Sequence, residues 1–383
     1  MNFLLSAGEA SGDTYGAQLI EALRQLAPSS TFFGMGGEKM RASGCELLID
    51  AKDVAVVGLV EVGKHLPDIR RRFKHLVAEA ARRKPDAAIL VDFPDFNLRL
   101  ARELHRLGIP VFYFVSPQIW AWRTGRVKQI QKYVRKMIVI FPFEHEFYAR
   151  HGVEVSYVGH PLAYVPPPQI SREEFAAQHG LDPKKQWIAL LPGSRRKELA
   201  FNIERMLLAG ENLNAETGLY EFLLPVASTL NKEWLAYRLS TTWAAPIRIT
   251  LTHNAPATLT HARAAVVASG TATVEAALSG TPFIVVYRLA PLTWLLGRRL
   301  VKLDTFAMPN LIAGKKIVPE LIQKDFTAQN VVRELNAIIP DCPARQQMQD
   351  ALKMVQQRLR DSQHTESPAQ RAAQEILGAL AKV

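Results

Sequence analysis

The sequence predicts two doubly wound α/β domains, each built on a parallel sheet, and three observations support this fold class. At 383 residues the chain is too long for one ordinary hydrophobic core, so two domains are expected. Short apolar runs alternate with helical patterns, and each run is continuously apolar, as expected of parallel strands covered on both faces. A proline-rich stretch at 161–168 interrupts the alternation, which then restarts, and this indicates a linker.

The individual elements follow from the same patterns. In the first half, the predicted strands are 2–6, 31–33, 87–91, 111–115 and 136–140, and the predicted helices are 13–26, 66–83, 97–107 and 143–151. In the second half, the predicted strands are 187–191, 221–224, 264–268 and 283–287, and the chain from about residue 329 is helical and polar. The expected domains are therefore 1–165 and 170–355, followed by a helical tail, 356–383, whose path back to the first domain the sequence leaves open.

Composition narrows the class of protein. With 48% hydrophobic and 22% charged residues the chain is globular, and its net charge of +11 favours polyanionic partners: nucleic acid, anionic lipid or phosphorylated substrates. The longest apolar runs, 54–60 and 289–297, fall short of the roughly 20 residues that cross a bilayer. The first residues carry no basic segment, so a secretory signal is not expected. The two distant cysteines, Cys45 and Cys342, fit a reduced, cytosolic compartment.

The segment LLPGSRRKE at 190–198 is the first motif with chemical content. A predicted strand ends, Pro-Gly turns the chain, and a helix is expected to open with Ser194 as its N-cap. Three cations, Arg195 among them, then crowd the first helical turn, where the helix dipole already disfavours positive charge. A bound phosphate would resolve this conflict. The alternative is a basic helix start whose side chains extend into water.

The segment ASGTATVE at 268–275 also follows a predicted strand and opens a helix. Gly270 allows a ligand close to the backbone, and the hydroxyls of Ser269, Thr271 and Thr273 suit phosphate oxygens. Glu275 lies one turn into the helix, and its side chain leans back toward the ligand edge, where it can accept hydrogen bonds from a ribose. The alternative role of Glu275 is a favourable interaction with the helix dipole.

The segment VDFPDFN at 91–97 offers a candidate base. Asp92 stands at a strand end between apolar neighbours, where partial desolvation would raise the pKa of its carboxyl. A turn acid with satisfied hydrogen bonds is the alternative. Asp95 is expected to be the N-cap of the helix that begins near Asn97.

Several segments together carry a family resemblance. SGTATVEAALSGTP at 269–282 resembles the nucleotide-sugar motif in the C-terminal domain of GT-B glycosyltransferases. Five further segments occur in matching order and are similar to the lipid-A-disaccharide synthase family: SAGEASGD at 6–13, VDFPDFN at 91–97, VSPQIWAWR at 115–123, LLPGSRRKE at 190–198 and MPNLIAG at 308–314. The resemblance implies a GT-B architecture, in which an N-terminal acceptor- and membrane-binding Rossmann-like domain faces a C-terminal UDP-sugar-binding one across a cleft.

The resemblance also implies a reaction. That family condenses UDP-2,3-diacylglucosamine with 2,3-diacylglucosamine 1-phosphate and forms a β-1,6-linked disaccharide of lipid A, the anchor of lipopolysaccharide in the Gram-negative outer membrane. The resemblance implies that Asp92 is the catalytic aspartate. It also implies that Asn310, which the sequence pattern alone would assign to an ordinary turn, lies in the donor site. We expect an inverting transfer, with Asp92 as the general base and attack from the face opposite UDP. Because the donor half has no DxD-type pair of acids, we expect no metal or other cofactor.

The loop SAGEASGD at 6–13 is the expected acceptor site. Its small residues, Ser11 and Gly12 among them, leave backbone N–H groups available for the acceptor phosphate. Glu9 and Asp13 either orient sugar hydroxyls or cap the following helix, and the sequence does not decide between these roles. A nearby segment, GMGGEK at 34–39, begins like a dinucleotide-binding fingerprint, but Lys39 occupies the third glycine position, so NAD binding is rejected.

Residues 54–84 combine an apolar stretch with a basic helix. Val56, Val57, Leu59 and Val60 precede Arg70, Arg71 and Arg72, and this blend is typical of an element that contacts an anionic leaflet. The apolar stripe formed by Leu66, Ile69, Phe73, Leu76 and Val77 would by itself indicate packing against the protein's own sheet. A second candidate for membrane contact, LAPLTWLLGRRL at 289–300, combines Trp294 with two arginines.

We expect the protein to lie at the cytoplasmic face of the inner membrane, with peripheral attachment.

Two other classes of protein compete with this interpretation. A UDP-sugar 2-epimerase shares the two-domain architecture, but it needs no membrane patch. A nonenzymatic lipid- or RNA-binding protein would use the +11 charge, but RNA binding usually brings aromatic side chains among the basic ones, and the densest basic helix has only Phe73. No nucleic acid partner is therefore expected, and the sequence leaves the oligomeric state, including a homodimer, open.

Overall fold

The computed structural model describes residues 1–54, 59–122, 124–215, 218–227, 229–243, 247–289, 305–361 and 365–381, and the side chains of 59–66 and of Trp122 are outside this description. The chain divides into two compact units. The first consists of Met1–Tyr164 together with Leu359–Val383, and the second of Val165–Arg358. Each unit is a parallel sheet with helices, as the sequence predicts.

The first unit contains a seven-stranded parallel sheet in the order β3-β2-β1-β4-β5-β6-β7. Its strands are β1 Asn2–Ala7, β2 Thr31–Gly36, β3 Glu46–Asp50, β4 Ala87–Val91, β5 Val111–Phe114, β6 Lys136–Val139 and β7 Val155–Tyr157. Its helices are α1 Ala10–Leu26, α2 Glu38–Ala42, α3 Leu59–Arg83, α4 Pro94–Arg106, α5 Ile119–Trp122, α6 Val127–Tyr133 and α7 Pro142–Arg150. The central strands β1 and β4 are almost completely buried, which explains their unbroken apolar sequences.

The second unit contains a six-stranded sheet in the order β10-β9-β8-β11-β12-β13. Its strands are β8 Gln186–Leu191, β9 Tyr220–Pro225, β10 Ile249–Thr252, β11 Ala264–Ala268, β12 Phe283–Tyr287 and β13 Glu320–Ile322. Its helices are α8 Arg172–His179, α9 Arg196–Asn214, α10 Lys232–Thr241, α11 Ala255–His261, α12 Ala272–Ser279, α13 Met308–Ala313, α14 Ala328–Ile338 and α15 Pro343–Arg360. All its strand pairs are parallel.

Strand order reverses once in each sheet, and these reversals locate the candidate sites. In the first sheet the chain runs outward from β1 to β2 and β3, then returns to β4 on the other side of β1. In the second sheet it runs from β8 to β9 and β10, then returns to β11 on the other side of β8. Loops that leave opposite faces at such a switch point open a crevice at the carboxyl ends of the strands, where ligands of doubly wound sheets bind.

The end of the chain belongs to the first unit. A last helix, α16 at Pro368–Leu380, packs against α1. Arg371 donates a hydrogen bond from Nη2 to the carbonyl oxygen of Tyr157 at 2.9 Å and pairs with Asp361, and Lys136 binds Glu375 at 2.6 Å. These contacts attach the terminal segment to the β6–β7 edge of the first sheet.

The basic helix α3 packs its apolar stripe against its own unit. Leu76 is fully buried, and Ile69, Phe73 and Val77 pack against the core cluster of the first sheet. The ring of Phe73 meets that of Phe96 edge to face at 5.2 Å between centroids. The described part of the stripe, from Ile69 to Val77, therefore belongs to the core, which is the alternative that its pattern alone favoured, and the side chain of Leu66 lies outside the described residues.

The apolar residues expected to reach the membrane cannot be placed. Val56 and Val57, the side chains of Leu59 and Val60, and most of the second candidate at 289–300 lie outside the described residues. Within the part of the chain that the structure describes, none of the helices has both the length and the apolar character needed to cross a bilayer.

Candidate functional site

Asp92 lies at the switch point of the first sheet, on the first residue after β4. In the register of the sheet Ala7 pairs with Val91, so the loop after β1 and the loop containing Asp92 leave the sheet side by side. Asp92 and Phe93 both have left-handed backbone conformations, with φ of 46° and 51°, and Val115, after the neighbouring strand β5, has φ of 62°. Each such non-glycine residue costs about 1–3 kcal/mol, and strain of this kind clusters at functional sites.

The environment of Asp92 makes its carboxyl more basic. Burial and, to a smaller extent, the negative charge of Glu9 raise the pKa of Asp92 to about 6, although a hydrogen bond from the backbone of Phe93 acts in the opposite direction. A carboxyl with this pKa is mostly ionised at neutral pH but accepts a proton more readily than an ordinary aspartate. Asp92 therefore has the properties of a general base.

The loop after β1 lies against the loop that carries Asp92. Gly8 is buried, and a Cβ atom on it would lie 2.3 Å from Cδ1 of Phe93, so only glycine allows the ring to pack there. Glu9 occupies the N-cap position of α1 without a side-chain capping bond, and both Glu9 and Ser11 are exposed. Gly12 is buried in the first turn of α1, with its Cα facing Ala7 and Val91.

Asp13 has a structural role that the sequence analysis missed. Only 8% of the residue is exposed, and its carboxylate accepts hydrogen bonds from the backbone N–H groups of Gly37, Lys39 and Met40 at 2.7–3.1 Å. These are the unpaired donors at the start of α2. Asp13 thus caps a neighbouring helix and not its own, and a contact with the acceptor stays a prediction.

The start of α4 also differs from the expectation. The helix begins at Pro94 and its N-cap position is Phe93, so Asp95 is not the N-cap. Asp95 lies in the first turn, is largely exposed, and pairs with Arg126. The left-handed turn at Asp92 and Phe93 explains this difference, because it lets the helix begin at Pro94, three residues before the expected start near Asn97.

Two buried residues around Asp92 were not identified from the sequence. Asn97 and Tyr113 are both fully buried. The Nδ2 group of Asn97 and the hydroxyl of Tyr113 both donate hydrogen bonds to the carbonyl oxygen of Asp92, at 2.8 and 2.5 Å. The available signal was Asn97 itself, because asparagine is unfavourable inside a helix unless its amide has a specific partner.

A second buried carboxyl group lies at the same edge, after β6. Glu144 is 1% exposed and accepts hydrogen bonds from the indole N–H of Trp120 at 3.1 Å and from the backbone N–H of Phe141 at 3.3 Å. Burial raises the pKa of Glu144 to about 8, and the charge of Asp92 acts in the same direction. Glu144 is therefore mostly protonated at neutral pH, which limits the negative charge near Asp92.

In the second unit, the loop after β8 forms one side of the switch point. The helix α9 begins at Arg196 and its N-cap position is Arg195, so Ser194 is not the N-cap. The hydroxyl of Thr229 donates to the carbonyl oxygen of Ser194 at 2.5 Å, which holds the loop in place. The side chain of Arg195 makes no capping hydrogen bond to this helix start, and Ser194 and Arg195 are exposed, so the first backbone N–H groups of α9 face solvent, where an anion can reach them.

Two arginines of this loop interact with different partners, one with a carboxylate and the other with an aromatic ring. Arg195 lies 3.5 Å from the carboxylate of Glu198, and both side chains are substantially exposed. Arg196 stacks on the ring of Trp234, 4.7 Å from its centroid. Arg195 is therefore the cation best placed for a phosphate at the helix start, because its ion pair is exposed and worth about 1 kcal/mol or less.

The loop after β11 forms the other side of this switch point. Val267 pairs with Leu191, so the two loops leave the sheet next to each other. Gly270 has φ of 144°, a backbone conformation that favours glycine. A Cβ atom on it would meet no heavy atom within 4 Å, so the space beside its Cα is open. Thr271 is exposed at the N-cap position of α12 without a capping bond.

The other two hydroxyls of this loop are already engaged. Thr273 is fully buried, and its Oγ1 donates to the carbonyl oxygen of Gly270 at 2.7 Å. Ser269 donates to the carbonyl oxygen of Phe306 at 3.3 Å. The side chain of Thr273 therefore supports the loop, and its expected contact with phosphate stays a prediction.

Glu275 is half-buried in the first turn of α12. Burial raises the pKa of its carboxyl. Within the described part of the chain, no side chain or backbone group donates a hydrogen bond to this carboxylate. A partly desolvated carboxylate of this kind gains stability from hydroxyl donors on a ligand.

Asn310 supports the donor-side edge from the interior. It is fully buried in α13, where Nδ2 donates to Val318 O and Glu320 Oε1, and Oδ1 accepts from the N–H groups of Ile317 and Val318. All hydrogen-bonding groups of its side chain are used inside the second unit, so Asn310 supports this edge of the sheet, and a direct contact with the donor stays a prediction. Glu320, which the sequence analysis missed, also accepts from the N–H groups of Phe306 and Ala307.

No group of three or more histidine, cysteine, aspartate or glutamate side chains is arranged to hold a metal ion among the residues that the structure describes. The second switch point has exposed helix N-termini, an arginine and a carboxylate, which are groups of the kind that can interact with phosphate and hydroxyl groups.

Comparison with solved structures defines the class of protein. A glycotransferase of kitacinnamycin matches with a TM-score of 0.64 at 14% identity, covering 99% of this chain and 98% of that one. A UDP-GlcNAc 2-epimerase from Neisseria meningitidis, solved with UDP-GlcNAc bound, matches with a TM-score of 0.61 at 13% identity over the full length of both chains. Identities this low show the fold alone, and the fold is that of the GT-B glycosyltransferases.

Sequence comparison then identifies the family. The family model of lipid-A-disaccharide synthetase matches residues 3–376. The lipid-A-disaccharide synthase of Koribacter versatilis is 54% identical over 378 residues, which is 98% of each chain. That of Acidobacterium capsulatum is 52% identical over 369 residues, 94% of this chain and 92% of the relative. The chain belongs to the lipid-A-disaccharide synthase family and is a glycosyltransferase of lipid A biosynthesis, which excludes the epimerase and the nonenzymatic alternatives.

Proposed function

We propose that the chain transfers 2,3-diacylglucosamine from its UDP derivative to the 6-hydroxyl of 2,3-diacylglucosamine 1-phosphate. The products are UDP and a β-1,6-linked disaccharide 1-phosphate. Family membership supports the reaction class, and the observation that carries the mechanism is the basic carboxyl of Asp92 at the first switch point.

In the proposed mechanism Asp92 removes the proton from the acceptor 6-hydroxyl as its oxygen attacks the anomeric carbon. The new bond forms on the face opposite UDP, the bond from the anomeric carbon to the phosphate oxygen breaks, and its electron pair leaves with UDP, so the configuration inverts. The transition state carries oxocarbenium character, as in glycoside hydrolysis. A base with a pKa of about 6 suits this step, since it is ionised at neutral pH and still takes up the proton.

The donor binds, in this proposal, at the carboxyl edge of the second sheet. The β-phosphate gains negative charge as UDP departs, and the uncapped start of α9 together with Arg195 stabilises it. This assigns to a helix dipole and an arginine the charge stabilisation that a metal ion provides in other transferases. Glu275 accepts hydrogen bonds from the ribose hydroxyls, which would satisfy its half-buried carboxylate.

The acceptor binds, in this proposal, beside Asp92. The start of α1 has no side-chain cap, and its first turn includes the exposed Ser11. Helix N-termini of this kind bind phosphate groups, so we assign the acceptor 1-phosphate to this turn, with Ser11 and the backbone of Gly12 as donors. Glu9 stays near the reacting hydroxyl through its charge interaction with Asp92.

Both substrates carry acyl chains, so we also propose a peripheral contact with the cytoplasmic face of the inner membrane. The basic helix α3 supports this, because Arg70 and Arg71 are exposed on it. Basic residues near a surface of anionic lipid each contribute about 1 kcal/mol to binding.

Replacement of Asp92 by asparagine tests the mechanism. The amide keeps the shape of the side chain but cannot take up the proton, so we expect the single-turnover rate of UDP formation to fall at least 100-fold. The affinity for UDP should stay within about twofold of the wild type. Asp95→Asn is the matched control, because Asp95 is an exposed acid three residues further on and should leave the rate unchanged. A rate within a few-fold of the wild type for Asp92→Asn would exclude Asp92 as the base.

A further inference from the structure

The backbone carbonyl group of Asp92 is held by two side chains that donate hydrogen bonds to its oxygen. Because Asp92 and Phe93 adopt left-handed conformations, the chain turns sharply after β4 and the carbonyl oxygen of Asp92 leaves the strand ladder. A buried carbonyl group that leaves a ladder needs other donors. Asn97 Nδ2 and Tyr113 Oη supply them, at 2.8 and 2.5 Å.

Asn97 connects this turn to the neighbouring strand. Its Nδ2 group also lies 3.2 Å from the carbonyl oxygens of Ser6 and Val91, and its Oδ1 accepts a hydrogen bond from Ser6 Oγ at 2.7 Å. One side chain therefore fixes the last residues of β1 and β4 and the turn at Asp92 relative to each other. These are the two strands on either side of the switch point.

Tyr113 provides a second donor from the strand on the other side. It lies in β5, is fully buried, and pairs with Leu90 in the sheet register. Burial raises the pKa of Tyr113 well above its ordinary value, and the charge of Asp92 adds to this. The hydroxyl group therefore stays protonated and keeps donating across the working pH range.

The peptide groups on both sides of Asp92 are thus fixed. Its N–H donates to the carbonyl oxygen of Phe114 at 3.2 Å, and its C=O accepts from Asn97 and Tyr113. With the backbone held at both ends, only the two side-chain torsions of Asp92 remain adjustable. A displacement of about 1 Å at a reacting group can reduce a rate 100-fold, so such a restraint matters for the chemical step.

We propose that Asn97 and Tyr113 are positioning residues, which hold the left-handed turn at Asp92 and so direct its carboxylate to the acceptor hydroxyl. The inference rests on the proposed role of Asp92 as the base. Neither residue touches substrate; both act through the backbone of Asp92.

Tyr113→Phe is the test, because it removes one hydroxyl group and keeps the buried ring, whereas replacement of Asn97 would remove four hydrogen bonds to the ends of β1 and β4 and to the turn together. We expect the single-turnover rate of UDP formation to fall about tenfold, while KM for both substrates stays within twofold. In an Asp92→Asn background the same substitution should change the residual rate less than twofold, because the group that it positions is gone.

Tyr148→Phe is the matched control. Tyr148 is also fully buried in the first unit, but its hydroxyl group lies 2.8 Å from Ser116 Oγ instead of Asp92. We expect both variants to lose a similar amount of thermal stability and only Tyr113→Phe to lose rate.

Three outcomes would overturn the inference. If Tyr113→Phe keeps the wild-type rate while Asp92→Asn is impaired, the proposed function stands and the positioning role does not. If the tenfold loss persists in the Asp92→Asn background, Tyr113 acts independently of Asp92. If Asp92→Asn itself retains its rate, the proposed base is wrong and the inference is lost with it.

Discussion

At the scale of single residues, the basicity of Asp92 has two separable causes. Burial contributes most to the raised pKa, and the charge of Glu9 adds to it. Below a pH of about 6 the carboxyl is protonated and cannot act as a base, so the rate should fall as the pH is lowered through this value. The acid limb of the pH–rate profile therefore reports the environment of Asp92.

Glu9→Gln should move this acid limb to lower pH. Removing the negative charge of Glu9 makes ionisation of Asp92 easier, which lowers the pKa of Asp92 and extends activity toward acid. The measurement is the pH dependence of kcat/KM between pH 4.5 and 8. Glu21→Gln, on the same helix but bonded to Ser43, is the control and should leave the limb in place. A limb that stays fixed, or moves to higher pH, in Glu9→Gln would contradict the coupling.

Small polar residues show which contacts at the site the sequence analysis did not predict. Asp13, Thr273 and Asn310 stand near the starts of helices; Thr273 and Asn310 were expected to contact a ligand, and Asp13 either to do so or to cap the following helix. The side chains of Asp13 and Asn310 turn inward and bond backbone groups of other segments, and that of Thr273 bonds the carbonyl oxygen of Gly270 in its own loop. A sequence shows that such a residue follows a strand, but the direction of its side chain depends on which backbone donors and acceptors the fold leaves unpaired.

At the scale of secondary-structure elements, α3 has an apolar side that packs in the core and a basic side at the surface. The apolar stripe packs inward. Several of its basic residues are paired with acids of the same unit: Arg71 with Asp68, Arg72 with Asp53, and Arg83 with Glu79 and Glu46. Arg70 and Lys74 are exposed and offer the clearest test of the proposed membrane contact.

The double variant Arg70→Glu/Lys74→Glu should weaken binding to vesicles that contain anionic lipid by at least tenfold. Each basic residue near such a surface contributes about 1 kcal/mol, and reversal adds repulsion. Vesicle co-sedimentation at fixed ionic strength measures this.

The control for this pair is Arg333→Glu/Lys353→Glu, which makes the same change in net charge on exposed helices of the second unit. Equal losses for the two pairs would show that net charge alone governs binding, and no loss for Arg70→Glu/Lys74→Glu would remove α3 from the membrane contact.

The strands that the sequence analysis missed share a position in the sheets. They are β3, β7, β10 and β13, which form the four edges of the two sheets. Each is three to five residues long and only partly buried, so none shows the continuous apolar run by which the interior strands were recognised. The interior strands are buried by helices on both faces, and for that reason their positions could be predicted to within a few residues.

At the scale of the whole molecule, the same arrangement occurs twice. Each unit places two chemically distinctive loops at the switch point of its sheet: those with Glu9 and Asp92 in the first, and those with Arg195 and Glu275 in the second. The sequence predicted these loops because each belongs to a local strand–loop–helix pattern. It could not predict Asn97, Tyr113 or Glu320, whose roles depend on contacts between elements that are distant along the chain.

The measurement that tests the central claim most directly is UDP release by the purified chain in detergent micelles. UDP-2,3-diacylglucosamine and 2,3-diacylglucosamine 1-phosphate are supplied separately and together, with and without a chelator. We predict that UDP appears only when both lipids are present and that the chelator does not change its rate. Consumption of the UDP-sugar without the acceptor, or a rate that the chelator abolishes, would contradict the proposed metal-independent transfer between these two lipids.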